Sequence, residues 1–185
     1  IIEVFYKKGF NVIAAGISKA NNTKIFKKKF SSKRSLTINT ELTSSKNVKK
    51  VITSSLKKFK KIDVLINCAG IQFVMPLEKY PEKVWRKMMD INLTTPFLFT
   101  KELLPMMRKN KWGRIVNISS IWGNISKEYR SAYSSSKFGL DGMTTSLAAE
   151  VASMGILANS VSPGFIDTEL TTKILGSEEI AKVKE

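Results

Sequence analysis

Residues 62–70 read IDVLINCAG, and this stretch decides the fold. Four apolar residues in a run of six, ending in Asn67 and a small-residue turn, have the length of a strand rather than a helix. A continuous apolar run, as opposed to an alternating one, predicts a strand buried on both faces, as in a parallel sheet. Similar runs recur in FNVIAA (10–15), GRIVNIS (113–119) and ILANSV (156–161), with SLTINT (35–40) as a fifth candidate strand.

Between them lie helical patterns. IIEVFYKKG (1–9) reads as the end of an amphipathic helix stopped at Gly9, and KANNTKIFKKKF (19–30) as a short helix. Val48, Val51, Ile52 and Leu56 recur at helical spacing in 45–59. Residues 82–109 form one long helical pattern entered near Pro81, with Asn92 unexpectedly in its middle, and 131–155 form another, ending at Gly155. Alternating strands and helices with short connections predict right-handed crossovers, and so an α/β, Rossmann-like doubly wound parallel sheet with helices on both faces. No repeat, low-complexity tract or linker breaks the chain, so residues 1–185 are expected to form one α/β domain.

Composition narrows the chemistry. The chain has 185 residues, 43% hydrophobic, one cysteine (Cys68) and no histidine. A lone thiol excludes an internal disulfide and suits a reducing, cytoplasmic setting. Without imidazole, zinc sites and histidine-based triads are excluded, and no metal is expected. Acid–base chemistry then falls to Tyr, Lys, Asp, Glu or water. No apolar run reaches the roughly 18–20 residues of a membrane span. Ile1 lies inside an apolar pattern with no charged leader or cleavage site, so no signal peptide is expected, and the chain is expected to begin inside a larger domain.

The formal charge is +16, but it is uneven. Residues 1–61 carry 16 Lys and Arg against Glu3 and Glu41, and residues 62–185 carry 15 against 13. The lysines of 24–34 and 46–61 are spaced as solvated helix faces. Aromatic residues are not interleaved with them as stacking platforms, so nucleic acid is not an expected partner. A non-catalytic protein that binds nucleotide or nucleic acid through this basic third is the competing class. Steeply salt-dependent nucleic-acid binding without a cofactor signal would mark it.

In a doubly wound sheet, ligands sit beyond the carboxyl ends of the strands. The unusual residues fall there: Asn67-Cys68-Ala69-Gly70, Ser119-Ser120 and Pro163-Gly164. Tyr133 and Lys137, in SAYSSSKFGL (131–140), are four apart and share a helix face. A phenol with a reference pKa near 10 exchanges protons poorly at pH 7. A neighbouring ammonium is expected to lower that value, letting Tyr133 protonate a carbonyl oxygen that receives hydride, with Ser120 holding the same oxygen.

Taken together, NCAG (67–70), INLTTPF (91–97), GRIVNISS (113–120), YSSSK (133–137) and NSVSPGFIDTEL (159–170) resemble the short-chain dehydrogenase/reductase family. The resemblance covers residues 1 to about 172. It implies a catalytic tetrad of Asn92, Ser120, Tyr133 and Lys137, with Asn92 holding a helix-bulge water that relays protons to Lys137. It also implies that Asn67, Ala69 and Gly70 line the adenosine side of an NAD(P) cofactor, that Tyr133 and Lys137 contact it, and that Pro163, Gly164, Ile166 and Thr168 hold its nicotinamide end.

The chain departs from the family pattern in three ways. The glycine-rich phosphate loop and first strand that the family places before IIEVFYKKG are not in the sequence, and neither are the last helix and strand. The resemblance therefore implies a fragment clipped at both ends. Gly16 also stands where NAD-dependent members carry an acidic residue, while Ser18 and Lys19 could face a 2′-phosphate, which favours NADP over NAD.

The stretch LAAEVASMGILANSVSPGFIDTELT (147–171) is similar to 3-oxoacyl-acyl-carrier-protein reductases of fatty acid synthesis, implying a small or carrier-linked carbonyl substrate. AGIQFVMPLEKYP (69–81) and KWGRIVNISSIWG (111–123) are similar to 3-hydroxybutyrate dehydrogenases. In those, residues at the positions of Gln72 and Arg130 help hold a substrate carboxylate, although Trp122 replaces their histidine. Sugar and polyol dehydrogenases are a further option. The resemblance also implies a homodimer or homotetramer built on the two long helices, with Phe138, Leu140, Met143 and Leu147 offering an apolar face.

Overall fold

The computed structural model describes residues 1–17 and 20–166. Five parallel strands alternate with helices, in the order α1 (Ile2–Lys7), β1 (Val12–Gly16), α2 (Ala20–Lys29), β2 (Ser35–Asn39), α3 (Ser45–Phe59) and β3 (Val64–Asn67). There follow α4 (Glu82–Met89), α5 (Thr95–Asn110), β4 (Gly113–Ile118), α6 (Ser131–Val151) and β5 (Ile156–Val161). All five expected strands are present, and the α/β parallel architecture is the one anticipated.

The core lies where strands and helices meet. Val48, Val51 and Ile52 of α3 pack with Phe99, Leu103 and Met107 of α5, Ile115 of β4, Leu147 and Val151 of α6, and Ile156 and Ala158 of β5. α3 starts at Ser44, whose Oγ accepts from the Asn47 N–H at 3.2 Å, a side-chain cap for an otherwise orphan donor. Its lysines at 46, 49, 50 and 57 face solvent, consistent with a solvated helix face. Lys58 instead reaches the carbonyls of Ser32 and Ser35 at 2.6 and 2.7 Å, tying α3 to the start of β2.

Two features refine this picture. Among the described residues β1 pairs with β2, while β3, β4 and β5 form a second ladder. β1 and β3 both line a cavity of about 730 Å³, along with Phe99 and Leu103. In consequence Val64, Leu65 and Ile66 are only partly buried, not enclosed on both faces. One side of β3 faces this slot instead of another strand.

The long helical pattern of 82–109 is also interrupted. A π-helical turn, Asp90–Thr94, separates α4 from α5 and carries Asn92, which is 1% exposed. Such bulges disturb the helix ladder and frequently mark functional sites. On α6, Leu140 and Leu147 are buried in the chain's own core, whereas Phe138 is 47% exposed. The apolar face anticipated for self-association is thus reduced to Phe138 and the partly covered Met143, because the sheet beneath α6 takes the other two.

Candidate active site

Three elements converge at the carboxyl ends of β3 and β4. β4 ends at Ile118 and delivers Ser119 and Ser120 into a short 3₁₀ turn, Ile121–Gly123. Ser120 caps that turn, its Oγ accepting from the Trp122 N–H at 3.3 Å. The Ser119 N–H bonds the Val161 carbonyl at 2.8 Å and the Ile121 N–H bonds that of Pro163 at 3.0 Å, so the turn continues the β4–β5 pairing. α6 starts at Ser131 and brings Tyr133 and Lys137 alongside on successive turns.

The Lys137 ammonium is 4% exposed, donates to the Ile118 carbonyl at 2.7 Å, and lies 5.7 Å from the centre of the Tyr133 ring. The Ser120 hydroxyl lies close enough to the Tyr133 phenol to favour its ionised form. Asn92 is held from three sides. Its Oδ1 accepts from the Ile71 N–H at 2.9 Å, and its Nδ2 donates to the Ile71 carbonyl at 2.9 Å and to Ser136 Oγ at 3.0 Å. Ser136 in turn donates to the Tyr133 carbonyl at 2.7 Å. A Cβ at Gly70 would lie 3.5 Å from Asn92 Oδ1 and 3.8 Å from Lys137 Nζ, so the 68–70 turn lies against both. The four residues of the expected tetrad therefore share one neighbourhood.

The electrostatics differ from the sequence expectation. Burial lowers the Lys137 pKa to about 8, opposed by the charges of Asp141 and Cys68. Burial raises that of Tyr133 above the ordinary phenol value, opposed by the Ser120 hydrogen bond and the Arg130 charge. Burial makes the ammonium form less favourable than in water, while the charge it carries acts more strongly through low-dielectric surroundings. The groups that favour the phenolate are Ser120 and Arg130.

Asn67 is 9% exposed and donates to Asn117 Oδ1 at 2.7 Å; Asn117 Nδ2 donates to Thr144 Oγ1 at 2.7 Å. Its side chain thus joins β3, β4 and α6. Cys68, Ala69 and Gly70 are exposed at the strand end, where small residues leave room for a flat group against backbone. Pro163, Gly164 and Ile166 follow β5, with Phe165 edge-to-face on Trp122 at 6.2 Å. Ser18, Lys19 and Thr168 lie outside the described residues. Residues that fit a nicotinamide cofactor are therefore present at the strand ends: an open small-residue turn, a buried lysine and a half-buried phenol.

Arg130 and Gln72, weak signals in the sequence, stand out here. Arg130 is 6% exposed, stacks over Trp122 at 4.9 Å, and its Nε has no hydrogen-bond partner. Gln72 Nε2 is likewise buried without a partner. The Met75 N–H to Tyr129 carbonyl bond, 3.1 Å, joins the segments that carry them. Sequence reasoning placed Ser119 at a strand end without a role, and missed Asn117, Ser136, Asp141 and Thr144. Only Asp141 had a readable signal, its spacing of four from Lys137 on α6.

Parallel strands joined through helices, with polar groups gathered at their carboxyl ends, define an α/β protein of the dinucleotide-binding class. The sequence profile of the short chain dehydrogenases matches residues 1–179, and the chain belongs to that family. It is 35% identical over 133 residues to D-beta-hydroxybutyrate dehydrogenase of Rhizobium meliloti (strain 1021), covering 72% of this chain and 52% of that protein. It is 37% identical over 139 residues to 3-oxoacyl-[acyl-carrier-protein] reductase of Synechocystis sp., covering 75% and 56%. A solved putative 3-oxoacyl-reductase from Bacillus thuringiensis superposes with a TM-score of 0.86 at 30% identity, covering 98% of this chain and 76% of that one. The chain spans about half the length of these two curated relatives. Among the described residues no helix is long and apolar enough to cross a membrane, and no cluster of His, Cys, Asp or Glu could hold a metal ion.

Proposed function

We propose that the protein carrying this chain reduces a ketone to a secondary alcohol with NADPH, acting on a 3-oxoacyl group carried as a thioester. The observation that carries this reading is the meeting of Ser120, Tyr133 and Lys137 at the end of β4. Bound NADPH would supply the hydride. Ser120 holds the carbonyl oxygen, and Tyr133 gives its phenolic proton to that oxygen as the alcohol forms. Lys137 keeps positive potential beside the phenol as it loses the proton. Asn92 braces the Ile71 backbone and Ser136, and Ser136 in turn holds the Tyr133 carbonyl.

The cofactor choice rests on the end of β1. Gly16 has φ +150°, a conformation that side-chain-bearing residues rarely adopt, so no carboxylate is presented there to ribose hydroxyls. The basic first third favours an anionic cofactor by long-range attraction, weakened by salt. Pro163, Gly164, Ile166 and Thr168 are assigned to the nicotinamide end, and Asn67, Ala69 and Gly70 to the adenosine side. A reducing cytoplasm and a homodimer or homotetramer are part of the same reading, with residues 1–185 forming one domain of it.

A second reading is favoured by a specific observation. The buried, unpartnered donors of Arg130 and Gln72 suit a free carboxylate on the substrate, as in 3-hydroxybutyrate oxidation. One experiment separates the two: turnover of acetoacetyl thioester and of acetoacetate, each with NADPH and NADH. Faster thioester turnover with NADPH supports the first reading, and faster acetoacetate turnover supports the second. Loss of neither activity in Tyr133→Phe would overturn the shared mechanism.

A further inference from the structure

Asp141 lies one turn beyond Lys137 on α6, and so on the same helix face. Its Oδ2 accepts a hydrogen bond from Ser119 Oγ at 2.7 Å. Its Oδ1 is buried and has no hydrogen-bond partner. Ser119 is 4% exposed and immediately precedes Ser120. Gly123 closes over this contact: a Cβ there would be within 2.8 Å of Ser119 Oγ and closer still to Asp141 Oδ2. The turn that carries Ser120 is therefore fastened to the helix that carries Tyr133 and Lys137, through one carboxylate.

A carboxylate oxygen buried without a donor is costly unless a cation compensates it. The groups that face Lys137 are Tyr133 and Asp141 from its own helix, Cys68 and Gly70 from the turn after β3, the Asn92 amide from the π turn, and the Ile118 carbonyl from β4. Asp141 is the carboxylate in this set.

We propose that Asp141 is a positioning residue: it clamps the Ser119–Ser120 strand end to α6, and its charge holds Lys137 in the ammonium form inside a dehydrated site. The inference rests on the reading of Lys137 as a working group, so its test does not depend on turnover. The direction of the electrostatics agrees, since burial lowers the Lys137 pKa and Asp141 is the first group opposing it. Removing that opposing charge would move the Lys137 pKa further down, toward neutrality. Asp141→Asn is the informative change, because the amide oxygen still accepts from Ser119 while the charge is gone.

The experiment is a pH titration of lysine side chains by ¹³C NMR on the ligand-free full-length protein, with the Lys137 signal assigned by its disappearance in Lys137→Arg. In Asp141→Asn the Lys137 midpoint is expected to fall by about one pH unit, the size of a near opposite-charge effect. Asp141→Glu, which keeps the charge, is expected to stay within half of that shift of the native value. In the turnover profile of the full-length protein, the alkaline limb should move the same way in Asp141→Asn. An unchanged Lys137 midpoint in Asp141→Asn overturns the proposal, whatever happens to activity. If Tyr133→Phe leaves turnover intact while the midpoint still falls, the reaction reading fails and the electrostatic coupling stands.

Discussion

Asn92 holds Ile71 by both ends of its peptide unit, accepting from the N–H and donating to the carbonyl at 2.9 Å each. A residue in a π-helical turn thus serves as a surrogate strand edge for the loop after β3. The same amide reaches Ser136, so loop, bulge and α6 meet on one side chain. The cost of losing it follows directly. Asn92→Leu keeps the volume but leaves the Ile71 N–H and carbonyl and Ser136 without their partner. We expect a loss of about 2–4 kcal/mol in stability, read as a lower urea midpoint at unchanged slope.

The proton-transfer assignment predicts a split between kcat and KM. Tyr133→Phe removes the proton and little volume, and kcat of the full-length protein is expected to fall by about 10³-fold with KM within a few-fold. Ser120→Ala, which removes a donor aimed at the reacting oxygen, is expected to cost about 10²-fold. Steady-state kinetics with saturating NADPH measure both. A KM effect without a kcat effect would place these residues in binding alone.

Lys137 carries a stability signature of its own. Its folded pKa of about 8 lies below the reference value of 10.5, so the folded state releases the proton more readily than the unfolded chain. Below pH 8 both states are charged and the buried ammonium lowers stability in full. As pH rises from 8 to 10.5 that penalty is relieved. Measured against Lys137→Met, the unfolding free energy of the native protein should rise over this window by at most about 3 kcal/mol. Urea titrations of both proteins at pH 7.5 and 10 read it, and a flat difference would contradict the burial of the ammonium.

Arg130 makes a prediction about specificity. If its unpartnered Nε receives a substrate carboxylate, Arg130→Met should raise KM for acetoacetate by about 10- to 100-fold while leaving that for an acetoacetyl thioester nearly unchanged. Equal effects on both substrates would mean that the guanidinium acts through its stack on Trp122 and its charge beside Tyr133, not on substrate.

Much of this was legible in the sequence. Apolar runs of strand length separated by helical spacing gave five parallel strands, because strand and helix burial follow local periodicity. The spacing of Tyr133 and Lys137 put both on one face of α6, because four residues close a helical turn. Other features depended on residues far apart in the chain. The separation of β1–β2 from β3–β4–β5, and the half-open flank of β3, follow from which strand lies beside which; an apolar run reads the same in either place. The direction of the Tyr133 and Lys137 shifts was decided by burial, which outweighs their proximity once both leave water. Asp141, Ser119, Asn117 and Thr144 entered the site through contacts across 22 and 27 residues of sequence. Periodicity determines which face of an element is covered, whereas a hydrogen bond between two elements exists only once packing has brought them together.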